Sequence, residues 1–310
     1  MKRLLTILIV CCTVLYLTGY LCDKYYKHYW RAFFDKFDVV YHDSTYYDGI
    51  YIGDSRVHFG INPKITDSIL SMNTYNIGIG GANIRENIFL TQRYLENHRP
   101  PAFAIFSVGY QGILNPTHSF VNPCDYLFYT SNEATDSVLA KEGYHTNLFK
   151  FIPVLKYTAF DDFNKLSIAE GIKGNTIVSK KGISYKGFIN NQTNIFNLKE
   201  LKNEHDSEAI SYKYFSTLEK FIQLLKSHNI LPIVVYPPGY SGKSVEKTIP
   251  EKKVDSVIFR YSKKYRFPIY HFDTDRSFTE VLFSDQWHLN INGTVIYSRK
   301  IADSILHSMR

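Results

Sequence analysis

A serine, an aspartate and a histidine stand where they could form a proton relay. Ser55 lies in Tyr51-Ile52-Gly53-Asp54-Ser55-Arg56, where a short apolar run ends and a candidate helix opens. Glycine permits a sharp turn there, and the free N–H groups that begin a helix can face a developing negative charge. Alone, Gly-Asp-Ser also makes an ordinary strand-to-helix turn with a polar cap. Near the other end the chain reads Phe283-Ser284-Asp285-Gln286-Trp287-His288-Leu289-Asn290. Aspartate and histidine three apart fit one turn, so the carboxylate can orient the imidazole and leave its second nitrogen for a serine. A lone Asp-x-x-His is equally a helix cap or a surface pair. The order, serine first and then Asp and His close to the C-terminus, gives it weight.

These residues need a scaffold that brings distant loops together. Apolar runs near Asp48–Gly53, Thr74–Ile79, Ala102–Val108, Ile230–Tyr236 and Pro268–Phe272 read as five strands. Helical patterns over 62–72, 82–97, 207–228, 251–265 and 292–308 alternate with them. Such alternation predicts an α/β fold, a doubly wound parallel sheet with helices on both faces. Its site lies in loops at the carboxyl ends of the strands. Four loops qualify: 53–55, 78–83, 108–112 and 283–290. Residues 111–206 lack clean periodicity and are too long for a simple loop, which predicts an insertion with local structure, acting as a lid.

At 310 residues, with 45% hydrophobic and 21% charged content, the chain can bury one sizeable core and is not a disordered sequence. The formal net charge of +7 comes without dense Lys/Arg runs or any zinc-finger, RNA-binding or helix-turn-helix signature. It predicts a basic surface near an anionic membrane or envelope polymer, with no nucleic-acid partner. Cys11, Cys12 and Cys22 sit in the N-terminal apolar segment and leave Cys124 alone, so neither a disulfide framework nor a C-x-x-C metal site is available. His58, His118 and His145 have no metal-ligand spacing and read as polar surface or lid residues. No metal or cofactor is expected.

Leu4–Cys22 carries no charge and follows Met1-Lys2-Arg3. Nineteen residues at about 1.5 Å rise cover roughly 28 Å, close to the thickness of a bilayer core. An uncleaved signal anchor over 1–23 is therefore expected, with a cleaved signal as the alternative, and with the N-terminus cytoplasmic and the remainder across the membrane. An aromatic interfacial collar over 24–47 and a catalytic domain over 48–310 complete the expected organisation.

Taken together, the four loops resemble the SGNH (GDSL-type) hydrolases. In that family the nucleophile lies in a Gly-Asp-Ser block, matching Ser55. The second block resembles Asn76-Ile77-Gly78-Ile79-Gly80-Gly81, which puts the oxyanion-hole glycine at Gly81. The final Asp-x-x-His block falls on Asp285 and His288, followed by Leu289-Asn290. One block departs: where the family has Gly-x-Asn-Asp, this chain has Gly109-Tyr110-Gln111-Gly112. Gln111 thus stands for the asparagine that donates to the oxyanion. Its amide is the same donor on an arm one methylene longer. The resemblance implies an SGNH/flavodoxin-like fold and serine-nucleophile chemistry on esters. Its membrane-anchored members imply O-acyl, chiefly O-acetyl, esters of envelope glycans or polymers, with a membrane-bound O-acyltransferase as partner. Arg56, Tyr110 and Trp287 stand next to these residues as pocket-lining candidates; a salt bridge for Arg56 and core packing for the aromatics are the plainer readings. Two functions follow, a membrane-anchored esterase or acyltransferase, and a catalytically inactive binding or assembly protein on the same fold.

Overall fold

Buried apolar runs pair into a five-stranded parallel sheet in the computed structural model, which describes residues 2–114, 118–159, 165–178, 182–190, 195, 214–240 and 247–309. The chain divides into two units, residues 1–34 with 118–177 and residues 35–117 with 178–310. The first division point, between residues 34 and 35, falls within a helix.

In the first unit, α1 (Lys2–Tyr29) is long and apolar enough to cross a membrane, and almost none of its apolar window is buried. The start of α2 (Arg31–His42) follows it. After residue 118 come α7 (Pro123–Tyr126), α8 (Glu133–Lys141), α9 (Thr146–Phe151), α10 (Lys156–Ala159) and α11 (Lys165–Ile172). Tyr26, Phe34, Phe120 and Tyr129 are buried in this unit.

The second unit holds the sheet. Its strands are β1 (Gly49–Ile52), β2 (Thr74–Asn76), β3 (Phe103–Ser107), β6 (Leu231–Tyr236) and β7 (Ile269–His271), in the order β2-β1-β3-β6-β7. All four pairings are parallel. β1 and β3 are buried along their whole length, as strands covered on both faces must be. Between the strands run α3 (Ser55–His58), α4 (Pro63–Leu70), α5 (Ile84–Asn97), α6 (Tyr110–Leu114), α12 (Phe215–Ser227) and α13 (Ile249–Tyr265), and α14 (Ile291–Ser308) follows β7. The expected five strands and their intervening helices are thus present; residues 207–213 of the long helix expected before β6 lie outside the described residues.

Local chemistry explains the helix starts. Asn62 and Asn83 accept from the first free amides of α4 and α5, and Pro63 occupies a position where no N–H is needed. Thr248 and Glu251 form a reciprocal capping box on α13. A small antiparallel hairpin, β4 (Ile183–Tyr185) and β5 (Phe188–Asn190), lies at the β2 edge, where the Asn76 amide donates to the Lys186 carbonyl. Within the stretch expected to face the interface as a collar, Lys36 and Phe37 are buried in this unit.

Candidate active site

Ser55 is the first residue of α3, directly after β1. Gly53 has φ +154°, and a β-carbon there would lie 2.6 Å from the Val57 side chain, so the turn requires glycine. Asp54 caps α3 by accepting from the Arg56 amide at 2.9 Å. The Arg56 guanidinium returns to the Asp54 carboxylate at 2.7 Å and donates to the Val108 carbonyl at 2.9 Å, tying the turn to the end of β3. Burial pushes the Asp54 carboxyl up, but the charge and hydrogen bonds of Arg56 outweigh it and hold the group below its ordinary value. Arg56 is therefore a salt-bridge residue of the turn, although it also touches the cleft. Gly109 makes room for the pair, since a β-carbon there would stand 2.6 Å from the Asp54 carboxylate.

His288 arrives from the other end of the chain. Its Nε2 lies 2.8 Å from Ser55 Oγ, and its Nδ1 lies 2.8 Å from Asp285 Oδ2. Asp285 is fixed by its own turn, accepting the Trp287 and His288 amides at 2.7 and 2.8 Å. Burial raises the Asp285 carboxyl, but these bonds and the His288 ring outweigh it and leave it below the usual range. A carboxylate has no proton to give, so Nδ1 donates to it and Nε2 accepts from the serine hydroxyl. The Phe59 ring stands edge-on to the imidazole, centroids 5.7 Å apart.

The loop after β2 is bound to the same turn. The Ile79 amide donates to the Gly53 carbonyl at 3.0 Å. Asn76 Nδ2 donates to the Val57 and Ile61 carbonyls at 2.8 Å each, and its Oδ1 accepts from the Gly78 amide. Gly81, at φ +78°, is exposed. Neither the Ser55 nor the Gly81 amide is engaged in a hydrogen bond among the described residues.

A shallow cleft opens over the serine, walled by Ser55, His288, Phe59, Pro237, Pro238 and Trp287, the last half exposed. Gly81, Tyr110 and Gln111 do not line it. Tyr110 instead donates to Asp255 of α13 at 2.8 Å, which corrects its expected place in the pocket wall. Gln111 sits in the first turn of α6 with an exposed side chain. His58 is a second correction: it is buried one turn below Ser55, with Nδ1 3.3 Å from Lys36 Nζ, and Lys36 also donates to the Gly78 carbonyl. Burial, reinforced by the charges of Lys36 and His288, holds His58 well below its ordinary value, and burial alone does so for Lys36. Among the described residues no group of three His, Cys, Asp or Glu side chains could hold a metal.

Three positioning residues carry no signal as chemistry in the sequence. Asn76 opens a block whose glycines draw attention first. Asn290 caps α14 and also donates to the Val281 and Phe283 carbonyls, fixing the loop that carries Asp285 and His288. Asn190, fully buried at the end of β5, donates to the carbonyls of both Phe59 and Leu289, at 2.9 and 3.2 Å. It bridges the serine side and the histidine side of the site.

Among solved structures the chain is similar to a protein described as lipolytic, of the G-D-S-L family, from Desulfitobacterium hafniense DCB-2, at 12% identity over 83% of this chain and 98% of that one, TM-score 0.42. It is similar to the lipase/acylhydrolase from Enterococcus faecalis, at 11% identity over 83% and 94%, TM-score 0.41. A catalytic mutant of an acetylxylan esterase from Geobacillus stearothermophilus is 12% identical over 85% and 95%, TM-score 0.40. No family model and no curated protein matches the sequence.

Proposed function

We propose that the chain is a membrane-anchored serine esterase or acyltransferase of SGNH type. The observation that carries this reading is the continuous chain of contacts from Ser55 Oγ through His288 to Asp285, each link 2.8 Å long. Two such contacts in series, with a carboxylate fixing the imidazole, are what nucleophilic acyl chemistry requires. His288 takes the proton of Ser55 as the oxygen attacks an ester carbonyl. The Ser55 amide, and the Gly81 amide where the loop after β2 closes on a bound ester, are the donors we assign to the oxyanion. His288 then returns the proton to the leaving alcohol, and water or an acceptor hydroxyl, deprotonated by the same imidazole, releases the acyl group.

The substrate we assign is an O-acyl, chiefly O-acetyl, ester of an envelope glycan or polymer. The half-exposed Trp287 beside Ser55 offers the flat apolar face on which a sugar ring stacks. The N-terminal apolar helix supports placement at the membrane, with the sheet unit on the periplasmic or extracellular side and a membrane-bound O-acyltransferase as the natural partner. One observation favours the second reading, an inactive binding or assembly protein: Gln111 is exposed and outside the cleft wall.

A fluorophosphonate probe separates the two. The full chain should be labelled at Ser55, and Ser55→Ala should abolish both labelling and ester turnover. Absence of labelling in folded protein would sink the enzyme reading. With a glycan acceptor present, mass analysis of the products then divides transfer from hydrolysis.

A further inference from the structure

We propose that the unit formed by residues 1–34 and 118–177 is itself seated in the lipid boundary, so that exposed apolar side chains of the 118–177 segment, and not α1 alone, hold the protein to the bilayer. The proposal rests on the reading of α1 as a membrane anchor. Lys2–Thr18 is exposed throughout; Gly19 is buried by the rest of the unit, while Tyr20 and Leu21 beside it are exposed. The apolar run Leu4–Cys22 spans about 28 Å at 1.5 Å per residue, against a hydrocarbon core about 30 Å thick, so its last turn lies at the bilayer boundary. One face of that turn is already packed. A β-carbon on Gly19 would lie 2.5 Å from the Val154 amide nitrogen and 2.7 Å from Pro153 Cβ. One on Gly171 would collide with the Tyr25 carbonyl. Whatever depth Gly19 occupies, Pro153 and Val154 share it.

The neighbours of these contact points suit lipid. Phe151, two residues before Pro153, is 78% exposed, Leu148 is 48% exposed, and Ile172, next to Gly171, is 61% exposed. Side chains this large and apolar at the foot of an anchor continue its apolar surface outward. Lys150 and Lys173 adjoin Phe151 and Ile172, and their ammonium groups are paired with Asp136 and Glu170 at 2.8 and 2.7 Å, while their stems can lie along acyl chains. Asp23, the first charge after the apolar run, is paired with Lys156 at 2.8 Å and accepts from the Tyr157 hydroxyl at 2.7 Å. A charge at a low-dielectric boundary needs such compensation. The occupant that fits is therefore a bilayer, continuous with the one α1 spans.

The test uses the full chain in nanodiscs of phosphatidylethanolamine and phosphatidylglycerol. Leu8, Phe151, Ile172 and Phe259, all exposed, are replaced in turn by photoreactive benzoylphenylalanine, folding is checked by thermal unfolding, and adducts are read by mass. Immersed positions 151 and 172 should give about tenfold more lipid adduct than position 259, an exposed aromatic of the sheet unit. Lipid capture at position 8 with none above the position-259 level at 151 and 172 overturns the proposal. So does capture of a second copy at 151 and 172, which would mark a face for self-association. No lipid capture at position 8 fails the anchor reading and takes this proposal with it.

Discussion

One oxygen of Asp285 accepts from the Trp287 amide, the His288 amide and His288 Nδ1, while the other serves Nδ1 alone. The same carboxylate therefore builds the turn and sets the tautomer. Asp285→Asn can still accept both amides but offers the ring a donor in place of an acceptor. Replacement of this kind costs roughly 10⁴-fold in turnover where the relay operates. We expect a loss of that order in the rate of Ser55 acylation with little change in melting temperature, measured by stopped-flow labelling beside thermal unfolding. Because the Asp285 carboxyl is held below its ordinary value, its support of His288 is complete above that value and is lost only as pH falls through the lowered one. Asp54, its neighbour in sequence blocks but not in role, spends its charge on Arg56 and on the shape of the turn.

The elements around the site were legible to the extent that their signals are local. Continuous apolar runs located β1, β3 and β6, because a strand buried on both faces leaves that trace in any sequence. Ser55, Asp285 and His288 were legible by type and order. Asn76, Asn190 and Lys36 were not, because each acts through partners that folding alone brings near. Lys36 also read as part of an aromatic interfacial stretch, and nothing adjacent to it predicts that its ammonium meets His58 and Gly78. Tyr110 was open between pocket and packing for a related reason: adjacency to Gln111 says nothing about which way α6 turns it, and it turns to Asp255. Asn76 gives the prediction at this scale. Asn76→Ala removes two donors and one acceptor from buried backbone groups of α3, the Ile61 turn and Gly78. Leaving such groups unpaired costs about 1–3 kcal/mol each. Because the backbone can shift to recover part of that, we expect a net loss of about 2–4 kcal/mol in denaturant unfolding. Ser55 labelling should slow in parallel, since the loop after β2 and the turn that carries Ser55 lose their shared brace.

At the scale of the whole molecule, four titratable groups of the sheet unit pull in one direction. Asp54 and Asp285 sit below their ordinary values, as do His58 and Lys36. In each case the unfolded chain binds more protons over the interval between the lowered and ordinary values, so stability rises with pH across it. For the carboxylates that interval ends near pH 4, for His58 near 6.5 and for Lys36 near 10.4. The buried phenols of Tyr51, Tyr75 and Tyr297 are raised by burial, so the unfolded chain loses protons first above about pH 10 and stability falls there. Melting temperature in detergent should therefore climb from pH 5 through 7 to a maximum near 9–10 and decline beyond. A maximum at or below pH 7 would mean that His58 and Lys36 are charged and compensated in the folded state. Lys36→Met should flatten the climb between pH 7 and 10.

The bridge made by Asn190 bears on how such a protein can be cut and rebuilt. It lies within the long stretch between β3 and β6, which looks removable as a block because none of its described residues belongs to the five-stranded sheet. Yet its amide ties the Phe59 carbonyl, one turn past Ser55, to the Leu289 carbonyl, next to His288. Grafting, shortening or exchanging that stretch between relatives would preserve the sheet, Ser55, His288 and Asp285, and still remove one of the ties between their two loops, leaving Thr294 and Ser298 of α14 to hold the segment after Ser55. A chimera intended to alter what this protein binds has its safe breakpoint ahead of residue 183, not after it.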